Sequence, residues 1–462
     1  MERESAALDL GARDAARFEL LVLTTWQRGV SGMAPALVEL GADALAGASA
    51  SERQLLALRA IERASAGADR EQLLRCARRV LEHGDPHDAG EDTALVMAGR
   101  ALTFADQLDE ARACFTALVD AGHARGSVAT VALACAMRAE VGYRAGDLTR
   151  AAIDAREALE IAAEHGLVVA LAAAVQFSAE LLLEREPVGV ASALADRHAV
   201  GAIPRGFPEN MVLFARGRIA AAAGDLDAAA ELLATCGRER LAWGERNPAA
   251  CPWRSELALV RAHQGRRDEA ERLAAEEVRL AREFGTARAL GIALRAQALV
   301  RSGRARAAGL LEAAAVLADS PARLEHARIL LDLGAEQRRS GRRRPARATL
   351  AQALDLAGAC GAHALAERCR AELVTAGARP RRERLSGPES LTAGEWRVAE
   401  LAAEGMTNRR IAQALFLTTK TVETHLSHAY MKLDIAGRAE LAAALGLVAG
   451  LRAAAVPEAR AA

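Results

Sequence analysis

The chain has 462 residues, enough for two or more domains, and it is rich in Ala, Leu and Arg with only 3% aromatic residues. Scarce aromatic and β-branched side chains favour close-packed helices over sheets and predict an all-α protein. With 60 basic and 60 acidic residues the net charge is zero, so no global field draws the chain to nucleic acid and any basic footprint has to be local.

The first residues, Met1-Glu-Arg-Glu-Ser5, are acidic and lead into no apolar core, so no secretory signal is expected. The longest uncharged run, near 166–179, is shorter than the ~20 residues a membrane span needs. A soluble, cytoplasmic protein is expected. Seven cysteines (Cys76, Cys114, Cys135, Cys236, Cys251, Cys360 and Cys369) are scattered through apolar runs without a CxxC pair, the pattern of reduced, buried thiols. Cys360, His363 and Cys369 cluster, but their spacing is not that of a zinc site and a fourth ligand is missing, so no metal and no cofactor is predicted.

Residues 1–375 read as one unit repeated. Gly146-Asp-Leu-Thr-Arg-Ala151, Gly224-Asp-Leu-Asp-Ala-Ala229 and Gly265-Arg-Arg-Asp-Glu-Ala270 are its clearest copies. The segments beginning at Gly303 and Gly341 continue it, Asp106 opens a copy with Asp in place of Gly, and Gly67 opens a weaker one. The first residues step by 39, 40, 78, 41, 38 and 38, and the double step places a degenerate unit near Arg185-Glu-Pro-Val. The chemistry fits a helix hairpin: Gly turns the chain, Asp caps the next helix, and the following Ala lets the two helices approach closely. Each pair has an apolar face it cannot bury alone, so neighbours stack into a superhelical solenoid. Residues 187–210, with three prolines and three glycines, predict a degraded repeat with an extended loop. Residues 244–253 predict a loop setting Trp253 beside the next unit, close to Trp243; these tryptophans either fill a gap between repeats or mark a binding surface.

A basic Arg/Pro linker spans 376–390, with Arg379, Arg381, Arg382 and Arg384 either solvated or touching phosphate. Three helix starts then follow within 391–450. Thr392 and Glu395 form a capping box, with Leu391 and Trp396 as a staple, and Gly405 is placed to end that helix in a left-handed conformation. Thr407 caps a second helix from Asn408 to about Ala414, and Thr418 caps a third reaching about Lys432. At ~100° per residue, Val422, Leu426, Ala429 and Leu433 line one side of the third helix, and Lys420, Glu423, Thr424, Ser427 and Met431 the other. Two short helices, a tight turn and a polar outer stripe describe a helix-turn-helix. Residues 451–462 form a tail.

TKTVETHLSHAYMKLDIAGRAEL resembles the recognition helix and following turn of LuxR/NarL-type regulators, and LTAGEWRVAELAAEGMTNRRIA resembles their first two helices. The resemblance implies a four-helix unit that binds double-stranded DNA as a homodimer. It assigns Lys420, Glu423, Thr424 and Ser427 to the groove face, and Thr418, Thr421 and His425 to the backbone-contacting edge, with Lys432 completing the set. It also assigns the final helix, from Arg438 to about Val448, to dimerisation through Leu441, Leu445 and Val448. Arg410 stands where the family favours an acidic residue, and Glu423 and Ser427 stand where basic ones are frequent, so no base preference carries over. The repeats resemble the tetratricopeptide-like region before the DNA-binding domain of large, maltose-activator-like LuxR regulators.

Those regulators carry an ATPase, which needs a GxxxxGK[ST] loop. The only lysines here are Lys420 and Lys432, and no glycine-rich loop precedes either. Neither a GxSxG elbow nor an HExxH pair occurs. The sequence therefore predicts a non-enzymatic transcriptional regulator, with a ligand or protein effector acting on the repeats. Its competitor is an interaction scaffold with a degenerate DNA-binding end.

Overall fold

The computed structural model of the chain describes residues 45–199, 203, 206–378, 391, 393–415, 417–433 and 435–445. The chain divides into two units, Met1–Arg379 and Pro380–Ala462, and among the described residues every regular element is a helix.

The larger unit is a run of helix pairs. The first three are α1 (Ala50–Ala66) with α2 (Arg70–His83), α3 (Asp92–Phe104) with α4 (Leu108–Arg125), and α5 (Val128–Ala145) with α6 (Leu148–His165). Next come α7 (Val168–Arg185) with α8 (Val188–Ala199), α9 (Phe207–Ala223) with α10 (Leu226–Ala242), and α11 (Trp253–His263) with α12 (Arg267–Phe284). The last are α13 (Ala287–Val300) with α14 (Gly303–Leu317) and α15 (Arg323–Arg339) with α16 (Arg343–Cys360), followed by α17 (His363–Thr375). All seven motif positions (Gly67, Asp106, Gly146, Gly224, Gly265, Gly303 and Gly341) adopt the left-handed backbone, with φ between 59° and 84°. Asp106 does so without being glycine, which Asp tolerates better than most residues.

The rest of the motif works as its chemistry requires. The Asp147 and Asp225 carboxylates accept the backbone N–H groups of Arg150 and Ala228, capping the second helix of their pairs. At the α5–α6 crossing a Cβ on Gly142 would lie 2.9 Å from the Cβ of Ala151, so small residues set the approach of the two helices. Ion pairs repeat with the unit: Arg53–Glu91 and Arg218–Glu180 are 38 residues apart, Arg288–Glu325 and Arg295–Asp332 are 37.

The degenerate unit lies where the double step puts it, with Glu186 and Pro187 between α7 and α8. Within 187–210, residues 188–199 are helical. Pro187 leads directly into a 12-residue helix, because a ring that fixes φ and lacks an N–H is suited to a helix start. Residues 200–202, 204 and 205 lie outside the described residues. The two tryptophans fill gaps. Trp253 is 7% exposed and its ring occupies the space that a Cβ on Gly237 would need, while Trp243 packs at 6.2 Å, centroid to centroid, against Phe207.

Down the inside of the coil, Tyr143 joins distant turns: its hydroxyl oxygen accepts from Arg218 (3.2 Å) and from Arg328 (2.9 Å), 185 residues away. Arg328 also pairs with Glu184 and Glu325, and Arg218 with Glu180. The cavity these side chains border is only about 40 Å³, room for two or three waters at most. All seven cysteines are free and buried. No helix among the described residues is long and apolar enough to cross a membrane.

Candidate nucleic-acid interface

The smaller unit is built from α18 (Ala393–Ala403), α19 (Asn408–Ala414), α20 (Thr419–Leu433) and the short α21 (Leu441–Ala444). Val398, Ala399, Ile411, Ala412, Val422, Leu426, Ala429 and Leu433 form its core. Gly405, with φ 91°, ends α18: its N–H bonds to the carbonyl of Ala402 and that of Met406 to Leu401, the paired bonds of a Schellman motif. The Thr407 hydroxyl accepts from Arg410 N–H at 3.4 Å to start α19, and the Thr418 hydroxyl accepts from Thr421 N–H at 3.1 Å to start α20. Thr392, Phe416, Val448, the linker arginines Arg379–Arg384 and the tail lie outside the described residues, so the first capping box and one dimerisation residue are not described.

Lys420, Glu423, Thr424 and Ser427 are all exposed on α20, on the face opposite Val422, Leu426 and Ala429. Met431 continues the stripe at 48% exposed. Thr421 and His425 are half-buried at its edge, and Thr418 is exposed at the helix start. The Thr424 hydroxyl donates to the Lys420 carbonyl at 2.9 Å, which fixes its rotamer and keeps its lone pairs and methyl outward. The free N–H groups of the first turn give this end of α20 a partial positive charge.

Two basic residues are used inside the domain. Lys432 donates to the carboxylate of Glu395, a side chain only 6% exposed, and His428 Nδ1 lies 3.5 Å from the same carboxylate. Arg438 binds the carbonyls of Ala402 and Met406 and the Asn408 side chain, holding the end of α18 to the start of α19. Arg397, Arg409, Arg410 and Lys420 are the exposed bases that remain among the described residues. No local signal marked Glu395, His428 or Arg438 as struts, because their partners lie 30 residues or more away.

The final helix departs from expectation. Arg438–Glu440 is a 3-10 turn, and Leu441 (0% exposed) and Leu445 (7%) belong to the domain's own core. Expected to meet a second copy, Leu441 and Leu445 here pack within one chain, which leaves little of either side chain at the surface.

Residues 389–445 match the GerE family of bacterial regulatory proteins, the luxR family. The chain is 46% identical over 54 residues to the transcriptional regulatory protein LiaR of Bacillus subtilis, covering 12% of this chain and 26% of LiaR. It is 42% identical over 50 residues to the spore germination protein GerE of the same species, 11% of this chain and 68% of that protein. It spans only 6% of the length of mycobacterial HTH-type relatives to which it is 48% identical over 52 residues. Among solved structures it is similar to a Rap protein complexed with Competence and Sporulation Factor, with a TM-score of 0.45 and 15% identity over 69% of this chain and all of that one.

Proposed function

The chain belongs to the luxR family of bacterial regulatory proteins through its C-terminal domain, and we propose that this cytoplasmic, non-enzymatic transcriptional regulator reads double-stranded DNA with α20. The observation that carries the reading is the exposed stripe of Lys420, Glu423, Thr424 and Ser427 on a helix whose other face is core. Short polar side chains on a protruding helix fit among base edges in a major groove. Thr418, Thr421 and His425 sit beside the helix start, where backbone N–H groups suit a phosphate.

Two copies bind a two-fold site with half-sites about one helical turn apart. Their contact uses domain surface other than Leu441 and Leu445. The repeats govern occupancy through a small-molecule or protein effector. The inner cavity is too small for such an effector, so it docks on the outside of the coil or opens the ion-paired interior.

Selection of random duplex DNA by the full chain tests the first step. Enrichment of a symmetric sequence supports it, and no enrichment supports the scaffold instead. Control by the repeats is tested by comparing the selected site's affinity for the full chain and for a 385–462 fragment; equal affinities and equal oligomeric states remove it.

A further inference from the structure

Three helices of the larger unit bring donor atoms of different chemistry to one place. Cys135 lies on α5, and Asp154 and Glu157 lie three residues apart on α6. The Cys135 sulfur and one oxygen from each carboxylate lie within 4.8 Å of one another. His123, in the last turn of α4, holds its Nε2 3.6 Å from a Glu157 oxygen. Cys135 is 0% exposed and the Asp154 side chain 13%, whereas Glu157 and His123 are 36% and 57% exposed. The group is closed behind the sulfur and open to solvent at the carboxylate and imidazole.

A buried cysteine ordinarily packs as a small hydrophobe. This one packs in the core and also faces two carboxylates. No other group of three or more His, Cys, Asp and Glu donors gathers this closely among the described residues.

We propose that Cys135, Asp154, Glu157 and His123 form a binding site for a divalent transition-metal ion of the zinc class. One sulfur, two oxygens and one nitrogen suit a borderline ion; calcium and magnesium take oxygen donors, and copper(I) prefers several soft ones. The charges also match. Once the ion displaces the thiol proton, a thiolate and two carboxylates stand beside one guanidinium, that of Arg138, leaving two net negative charges for a divalent ion to neutralise. Arg138 bonds both oxygens of Asp154, at 3.0 and 2.7 Å, leaves each a lone pair, and orients the carboxylate as outer-shell partners of metal ligands do. Donors around tetrahedral zinc sit about 3.5 Å apart, and the solvent-facing Glu157 and His123 rotate to close the remaining gap. Coordination replaces the S–H bond by a metal–sulfur bond and releases that proton to solvent, so affinity rises with pH.

The test is a titration of the reduced, metal-free full-length protein with Co²⁺, independent of any DNA measurement. One equivalent is expected to give tetrahedral visible bands and a near-ultraviolet thiolate-to-cobalt band, both displaced by Zn²⁺. Cys135→Ser removes the near-ultraviolet band. Glu157→Gln and His123→Ala, at partly exposed positions, retain the helical circular dichroism and weaken Co²⁺ binding by at least about tenfold. Absence of the band in the unmodified protein overturns the site, as does a band that survives Cys135→Ser. A band insensitive to both Glu157→Gln and His123→Ala also overturns it, since a lone thiol would then be the whole site.

Discussion

The carboxylate of Asp106 accepts a hydrogen bond, at 3.0 Å, from the backbone N–H of Arg288, 182 residues further along the chain. Arg288 is the second residue of α13, whose own N-cap, Thr286, makes no capping bond. A turn residue of one superhelical turn thus caps a helix of the next. The same logic recurs at helix C-termini. Asn247 donates its side-chain amide to the Ala64 carbonyl, and the N–H groups of Arg246 and Asn247 go to Ser65, in the last turn of α1. Arg323 donates to the Ala145 carbonyl that ends α5, 178 residues earlier. Helix ends carry unsatisfied polar groups, so they can bond across the coil without breaking any helix. Together these bonds join successive turns at a spacing of roughly 180 residues.

Asp106 therefore has two tasks that substitution separates. Asp106→Ala loses the cap and puts a Cβ without a polar side chain in the left-handed region, which together cost about 1–2 kcal/mol. Asp106→Gly loses the cap and relieves the backbone, so it costs less than Ala; Asp106→Asn stays close to the parent. Urea denaturation of the four proteins should rank them Asp, Asn, Gly, Ala in falling stability. Equal midpoints for Gly and Ala would show that the backbone conformation contributes nothing.

Two buried glutamates give opposite dependences on pH. Burial pushes Glu277 up to about 7, although Arg254 and Ser255 partly oppose it. A folded pKa raised above the unfolded one means that the native state holds the extra proton, so this group's contribution falls as pH rises from about 4.5 to 7. Burial also acts on Glu325, but Arg328 and Arg288 outweigh it and hold the carboxyl down to about 2. Its contribution is full above about 4.5 and is lost as pH falls towards 2. Glu277→Gln is expected to flatten the decline between pH 5 and 8, by on the order of 1–3 kcal/mol. Glu325→Gln should leave that decline intact and lower stability at neutral pH. Chemical denaturation at pH 5 and pH 8 measures both; an unchanged slope in Glu277→Gln would count against its raised pKa.

The repeats were legible because each unit spends its least replaceable residues on one turn. The left-handed residue recurs at a step near 39, doubled only across the unit that turns at Glu186, and even the Asp at 106 keeps the place. The tight turn, the Thr407 and Thr418 caps and the inward face of α20 were legible for the same reason, since caps and periodicity act within a few residues. Contacts between distant segments were not. Nothing within reach of Asp106 points to Arg288, nor of Lys432 to Glu395. Leu441 and Leu445 show the other limit: helical spacing of leucines reveals an apolar face but not what covers it.

The burial of Leu441 leads to a direct test. Leu441→Ala removes a fully buried side chain and should destabilise the C-terminal domain by about 2–5 kcal/mol. That loss is expected to appear as a lower unfolding midpoint even at concentrations where the protein is monomeric. If the midpoint held and only sedimentation on DNA changed, the leucine would belong to a dimer contact after all.

The two lysines of the chain should respond to substitution in opposite ways. Lys420 is exposed on the outer face of α20, and its charge can reach a phosphate. Lys420→Ala should leave the melting temperature unchanged, weaken binding to all duplexes alike, and reduce the slope of log affinity against log salt by about one. Lys432 is 27% exposed and is bonded to Glu395, whose carboxylate is 6% exposed. Lys432→Met takes the ammonium away from that carboxylate, beside which His428 Nδ1 lies at 3.5 Å. Removing one partner of a fully buried pair costs 3–5 kcal/mol, and partial exposure of the lysine reduces the expectation to about 1–3 kcal/mol. The salt slope should then stay within error of the parent once binding is measured below the melting temperature. A slope reduced by one in Lys432→Met, with no change in melting, would instead place that ammonium on the DNA and leave the strut between α18 and α20 without function.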